Sequence, residues 1–152
     1  MEFSNAIYSS VSKRDDEIIT LLSGRASTVV TLNYQTPLPI EVEYATPQTL
    51  GVDRVAGAVG SREITPSVPT LIIDAGTAIT YDYITADGVY KGGNIAPGVS
   101  MRLKALNHYT TSLPLVEVSE HYSELGSDTQ SAILSGVMTG VVYECEGYIA
   151  KI

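Results

Sequence analysis

Apolar and polar positions along the 152-residue chain recur in blocks that predict alternating strands and helices. The block with the most information is residues 71–82. Leu71, Ile72 and Ile73 form an apolar run, read as a buried strand that delivers Asp74 to its end. Gly76 then permits a tight turn and close approach of a ligand to the backbone. The chain resumes as an alternating strand, with Ala78, Thr80 and Asp82 on one face and Ile79 and Tyr81 on the other. Upstream, residues 6–11 read as a strand and residues 14–22 as a helix stopped by Gly24. The β-branched run 28–32 reads as a strand, Thr36-Pro37-Leu38-Pro39 as a rigid turn, and residues 40–44 as a second short strand.

A helix begins near Gly51 or Val52. Val52, Val55, Ala56 and Val59 share one face of it and are expected to pack on a sheet. Residues 66–69 form a linker, Ala86-Asp87-Gly88 supplies hairpin turn chemistry, and residues 89–91 return as a strand. Residues 92–98, Gly-Gly-Asn-Ile-Ala-Pro-Gly, read as a glycine-rich loop that leads into a helix from Val99 to about Leu106. Asp128 or Ser127 is a good N-cap for a last long helix. Ile133, Val137, Val141, Glu144 and Tyr148 share one face of that helix. Gly136 and Gly140 permit close helix approach, either within the fold or across a dimer.

Composition narrows the classes. A net charge of −8 argues against nucleic-acid binding, which needs clustered Lys and Arg. The single cysteine, Cys145, excludes an internal disulfide and a cysteine-based metal cage, and points to a reducing compartment. No uncharged run exceeds that of residues 129–143, too short for a membrane span of about 20 residues, and no stretch has signal-peptide form. The expectation is a soluble, cytoplasmic, acidic protein that binds neither membrane nor nucleic acid. His108 and His121 are isolated, and no Gly-x-Ser-x-Gly elbow, P-loop or Gly-x-Gly-x-x-Gly is present.

Two places remain where chemistry can sit. The turn at Asp74-Ala75-Gly76-Thr77 offers N–H groups and a hydroxyl to phosphate oxygens and a carboxylate to a cation, or is simply a hairpin with an Asp–Thr hydrogen bond. Asp53 is favoured by the helix dipole whether or not it is functional. Arg54 can bind a ligand carboxylate bidentately or pair with a surface acid.

Taken together, five segments resemble one family. They are residues 46–54 (Thr-Pro-Gln-Thr-Leu-Gly-Val-Asp-Arg), residues 74–82 (Asp-Ala-Gly-Thr-Ala-Ile-Thr-Tyr-Asp), residues 92–98, Ala105-Leu106 followed by residues 110–114, and Gly126-Ser127-Asp128-Thr129. In this order they resemble the type III pantothenate kinases of the acetate/sugar kinase–actin superfamily, across essentially the whole chain. The resemblance implies an α/β, ribonuclease H-like (actin-like ATPase) mixed sheet with flanking helices. It implies a partial two-subdomain kinase, with residues 1–60 ending the first subdomain and residues 70–152 forming a second that lacks its C-terminal part. The implied reaction is ATP-dependent phosphorylation of pantothenate, the first step of coenzyme A synthesis. ATP would come with Mg2+, and a monovalent cation (K+ or NH4+) would assist. By the same resemblance, Asp53 is the proton acceptor and Tyr44, Gly51, Val52, Asp53, Arg54 and Thr129 bind pantothenate. Thr77 binds ATP and Asp74 binds the monovalent cation. Family members are homodimers with sites near the subunit interface, which favours Gly136 and Gly140 as interface residues.

One departure stands out. The family opens with an Asp-x-Gly-Asn-Thr/Ser phosphate hairpin and continues beyond the last helix seen here, and nothing in this sequence matches that hairpin. The expectation is a chain truncated at both ends that turns over weakly or not at all by itself, since positioning carries most of phosphoryl transfer. Two alternatives follow: a non-catalytic pantothenate-binding or dimerising fragment or paralogue, and a kinase of the same superfamily acting on another alcohol.

Overall fold

A computed structural model describes residues 3–10 and 16–152. The chain divides into two units: Met1–Thr70 with Asp82–Gly92, and Leu71–Tyr81 with Gly93–Ile152.

The first unit starts with strand β1 (Phe3–Tyr8), helix α1 (Asp16–Ser23) and strand β2 (Ala26–Thr31). β1 and β2 pair in parallel, with Phe3 opposite Ala26 and Tyr8 opposite Thr31, as a strand–helix–strand crossover requires. Residue 11 of the expected first strand and residues 14 and 15 of the expected helix lie outside the described residues. The apolar side chains Phe3, Ile7, Ile18, Leu21 and Val30 are exposed here. Strand β3 is shorter than its alternation suggests, only Glu41–Val42. A 3-10 turn, Pro47–Thr49, then leads into helix α2 (Val52–Ile64), which begins where its sequence placed it.

The buried face of α2 corrects the expectation. Arg54, Val55 and Ala58 are buried, whereas Ala56 is exposed. Apolar spacing fixes the width of a helix face but not its phase once a charged side chain with a buried partner competes for it. Leu32, Ile40, Leu50, Val55, Ala58, Ile84 and Tyr90 form the core of this unit.

Strands β4 (Thr70–Ala75), β5 (Ala78–Ile84) and β6 (Val89–Pro97) complete a four-stranded sheet of order β3-β6-β5-β4. The sheet is mixed, because β3 joins β6 in parallel while hairpins connect β4, β5 and β6. The β5–β6 turn uses the expected Ala86-Asp87-Gly88: Gly88 has φ of 84° and its N–H donates to the Thr85 carbonyl at 3.0 Å. Two expectations change. β4 is an edge strand and its apolar run is only half-buried. Residues 92–97 are not a loop but the second half of β6, because β5 offers them a continuous hydrogen-bonding edge that outweighs the glycines' turn preference.

The second unit adds α3 (Val99–Tyr109) and α4 (Thr129–Lys151). Leu103 of α3 packs on Ile133 and Val137 of α4, with Val99, Leu106, Leu113 and Val116 around them. Arg102 and Glu144 form an ion pair between the same helices at 2.5 Å. Tyr81 is buried, stacks on Tyr148 with ring centroids 3.9 Å apart, and lies 3.7 Å from the Cys145 sulfur. Burial first, and then the neighbouring thiol, push its phenol pKa up.

The start of α4 follows its sequence closely. The Asp128 carboxylate accepts from the amides of Gln130 and Ser131 at 2.9 and 3.0 Å, and the Ser131 hydroxyl accepts from the Asp128 amide at 3.1 Å. This reciprocal cap satisfies donors that the first helical turn leaves open. The Ser131 amide, then its hydroxyl, hold the Asp128 carboxyl below its ordinary value. A depressed folded-state value means that the cap acts fully above the unfolded value, about 4, and is lost as pH falls through the lower folded one. Amide protection at Gln130 and Ser131 is therefore expected to drop on acidification while mid-helix amides stay protected. Asp128→Ala should show the low protection at every pH, as hydrogen exchange can measure.

Candidate functional site

Candidate residues fall into two groups, one in each unit. In the first unit they gather around the N-terminus of α2. Gly51 is its N-cap and brings no side-chain cap. Gly51 also matters sterically: a Cβ there would run into the Asp53 carboxylate. That carboxylate is exposed, and its Oδ1 accepts from the Arg54 amide at 2.9 Å. The Val52 and Asp53 amides make no hydrogen bond among the described residues, so the helix opens with two free donors at its positive end. Val52 lines a cavity of about 50 Å³ with Leu32, Leu50 and Val55.

Arg54 points inward, 8% exposed, toward Asp82 on β5, which is 1% exposed. Its Nε lies 3.0 and 3.2 Å from the two Asp82 carboxylate oxygens, and its Nη2 lies 2.5 Å from Oδ1. The Tyr90 hydroxyl on β6 donates to the same Oδ1 at 2.6 Å. Burial works against the guanidinium charge, but the hydrogen bonds and charge of Asp82 outweigh it and raise the Arg54 pKa. Burial, followed by the hydrogen bond to Asp82, raises that of Tyr90. The other flank of Arg54 faces Tyr44: its Cζ lies 5.9 Å from that ring's centroid, within cation–π range. Tyr44 in turn tilts against Tyr90 at 6.4 Å and lies beside Gly92, whose φ of 95° disfavours a side chain.

Tyr44, Asp53 and Arg54 are thus brought together as the sequence suggested. Asp82 and Tyr90 complete the arrangement and were not singled out. The signal was available: Asp82 interrupts an apolar strand, and a carboxylate there needs a cationic partner.

The second group lies in the second unit. Asp74 and Thr77 sit on the β4–β5 turn, both exposed, and neither side chain makes a hydrogen bond or ion pair among the described residues. The expected alternative, an Asp–Thr hydrogen bond within the turn, is therefore not formed. Gly98, the N-cap of α3, holds this turn: its amide donates to the Thr77 carbonyl at 3.0 Å. A Cβ on Gly98 would collide with the carbonyl oxygens of Gly76 and Thr77. Thr129, the first residue of α4, borders an open apolar groove of about 860 Å³ between α3 and α4, together with Arg102, Leu106, Ile133 and Gly136.

The donor set can be compared with the expected ligands. An exposed, unpaired carboxylate at Asp74 and a free hydroxyl at Thr77 suit one monovalent cation and a phosphate oxygen. No cluster of three acidic, His or Cys side chains exists among the described residues, so a divalent ion here would depend on ligands brought by the nucleotide. No helix among the described residues is long and apolar enough to cross a membrane.

The family model described as type III pantothenate kinase matches residues 1–151. A type III pantothenate kinase of Porphyromonas gingivalis is 42% identical over 150 residues, 97% of this chain and 61% of the relative. One of Phocaeicola vulgatus is 46% identical over 124 residues, 82% of this chain and 51% of the relative. One of Bacteroides fragilis is 43% identical over 145 residues, 95% of this chain and 60% of the relative. The chain therefore spans about half to three-fifths of the length of these relatives. A solved structure from Campylobacter jejuni, described as a Baf family transcriptional activator, superposes with a TM-score of 0.63 at 23% identity, over 97% of this chain and 65% of that one. At that identity the likeness concerns the fold alone.

Removing one partner of a buried ion pair strands the other charge. Asp82→Ala is expected to destabilise the protein by about 3–5 kcal/mol. Tyr90→Phe, which deletes only the hydroxyl donated to a charged acceptor, should cost about 1.5–3 kcal/mol. Urea unfolding of the two variants beside the wild type measures both.

Proposed function

The chain belongs to the type III pantothenate kinase family, and from that membership we propose that it carries the pantothenate-recognising part, and one phosphate-contacting part, of an ATP-dependent pantothenate kinase acting in coenzyme A synthesis. The observation that carries the proposal is the first turn of α2, where an exposed Asp53 carboxylate stands beside an arginine fixed by a buried acid. In this reading Asp53 accepts the proton of the pantothenate primary hydroxyl as its oxygen attacks the γ-phosphorus. Tyr44, the main chain of Gly51 and Val52, and Arg54 hold the substrate. For Thr129, in the second unit, a role in binding pantothenate is proposed from the family resemblance alone.

Thr77 contacts ATP and Asp74 a monovalent cation, K+ or NH4+. When bound, ATP supplies the phosphoryl group while Mg2+ offsets its triphosphate charge. The free Thr77 hydroxyl and the unpaired Asp74 carboxylate support these two assignments. Cytoplasmic location follows from the same reading, since the pathway's substrates are soluble.

Calorimetry of the chain with pantothenate and with ATP tests the proposal. Pantothenate is expected to bind, and Asp53→Asn to retain that binding within about threefold, because the change removes a proton acceptor rather than a contact of the substrate's far end. In a coupled assay with ATP, Mg2+, K+ and pantothenate, turnover should be weak or nil for the chain alone. Pantothenate binding without ATP binding favours a non-catalytic binding role. Full activity of Asp53→Asn removes it as the base.

We further propose that α4 is a homodimer surface. A Cβ at Gly136, Gly140 or Gly147 would meet nothing within 4 Å among the described residues, which supports these glycines as places where a second helix could approach. Val142, Tyr143 and Ile149 are exposed on the same helix. Sedimentation equilibrium is expected to give a dimer, and Gly140→Trp to weaken it at least tenfold. A monomeric wild-type chain at 100 µM, roughly the range in which weak interfaces still associate, refutes this.

A further inference from the structure

Two buried polar residues in the first unit touch no candidate substrate group, yet each is tied to a residue that does. Asp82 occupies two of the three guanidinium nitrogens of Arg54. Tyr90 fills a remaining lone pair of Asp82 with its O–H. The effect on Arg54 is geometric. An arginine side chain has several freely rotating bonds, and the two-point grip of a carboxylate fixes the plane of its guanidinium. The grip leaves Nη1 outside the carboxylate's hold and sets the guanidinium against Tyr44. The same residue's amide holds the Asp53 carboxylate. A rigid path therefore runs from Tyr90 through Asp82 to Arg54 and ends at both candidate substrate contacts.

Burial alone does not explain the arrangement. A leucine in place of Arg54 and an apolar residue in place of Asp82 would fill the space without taking two charges out of water. Stability is thus a poor reason for the pair, and orientation is a better one.

We propose that Asp82 and Tyr90 are positioning residues for substrate binding, acting through Arg54 to fix its guanidinium against Tyr44 and to steady the start of α2 from which Asp53 projects. The inference rests on the pantothenate reading above and adds to it two residues that contact no substrate.

A double-mutant cycle tests it. Pantothenate affinity of the full chain is measured by ligand-observed NMR at millimolar pantothenate for the wild type, Tyr90→Phe, Arg54→Lys and the double variant, at a temperature where circular dichroism shows each folded. Tyr90→Phe is expected to weaken binding about tenfold in the wild-type background and by less than about twofold when Arg54 is already lysine, because coupled residues are non-additive. Asp82→Asn, which keeps the shape and removes the charge, should behave like Tyr90→Phe and provides a second arm if one variant fails to fold. Equal losses in both backgrounds overturn the inference, since a merely structural residue acts independently of Arg54. Unchanged affinity in Tyr90→Phe overturns it as well. A wild-type chain that binds no pantothenate is a separate outcome: it removes the pantothenate reading itself, and this inference with it.

Discussion

A guanidinium and a carboxylate cannot be taken out of water separately, and the first unit is arranged around meeting that condition once. Arg54 and Asp82 lie 28 positions apart on a helix and a strand, and they meet with almost no solvent access. Their contact is favourable only if the geometry is good and the remaining lone pairs are filled. Tyr90 fills one of them. Meeting these terms ties α2 to β5 and β6 more specifically than apolar contact would, because apolar packing tolerates small slides and a two-point ion pair does not. Tyr44 then lies over the clamped arginine and beside Gly92, whose backbone is left-handed.

The second unit solves a different problem. Its core is apolar, built from Leu103 against Ile133 and Val137, with the Arg102–Glu144 pair between α3 and α4 and further polar devices at helix starts and turns. The Asp128–Ser131 cap starts α4, and Gly98 clasps the β4–β5 turn through its amide. Because the turn is held by main-chain atoms, the side chains of Asp74 and Thr77 stay uncommitted. A backbone-held turn with free side chains is a suitable platform for phosphate and a cation, since the contacts are in place before the ligand arrives.

How much of this could be read from the sequence depended on the range of the interaction. The α4 start, the Gly88 turn and the onset of α2 were legible because capping and turn chemistry act within four residues. Residues 92–97 were misread because glycine's local preference says nothing of the neighbouring β5. Ala56 was placed in the core, and Arg54 left as a ligand-binding or surface residue, because apolar spacing does not report a buried partner 28 residues away. Asp53, Arg54, Asp74 and Thr77 stood out by residue chemistry, and Tyr44 and Thr129 became candidates only through resemblance, whereas Asp82 and Tyr90 emerged from three-dimensional contact.

The shared carboxylate oxygen has one more consequence. Asp82 Oδ1 receives both the Arg54 guanidinium and the Tyr90 hydroxyl. Changing Arg54 or Asp82 alone leaves an unpaired charge in a dry place, and losing the Tyr90 hydroxyl strips that carboxylate of one of its donors. Among descendants of this chain the three positions should therefore drift as a set or not at all. That couples the evolutionary freedom of a buried strand tyrosine to that of a helix arginine beside Asp53.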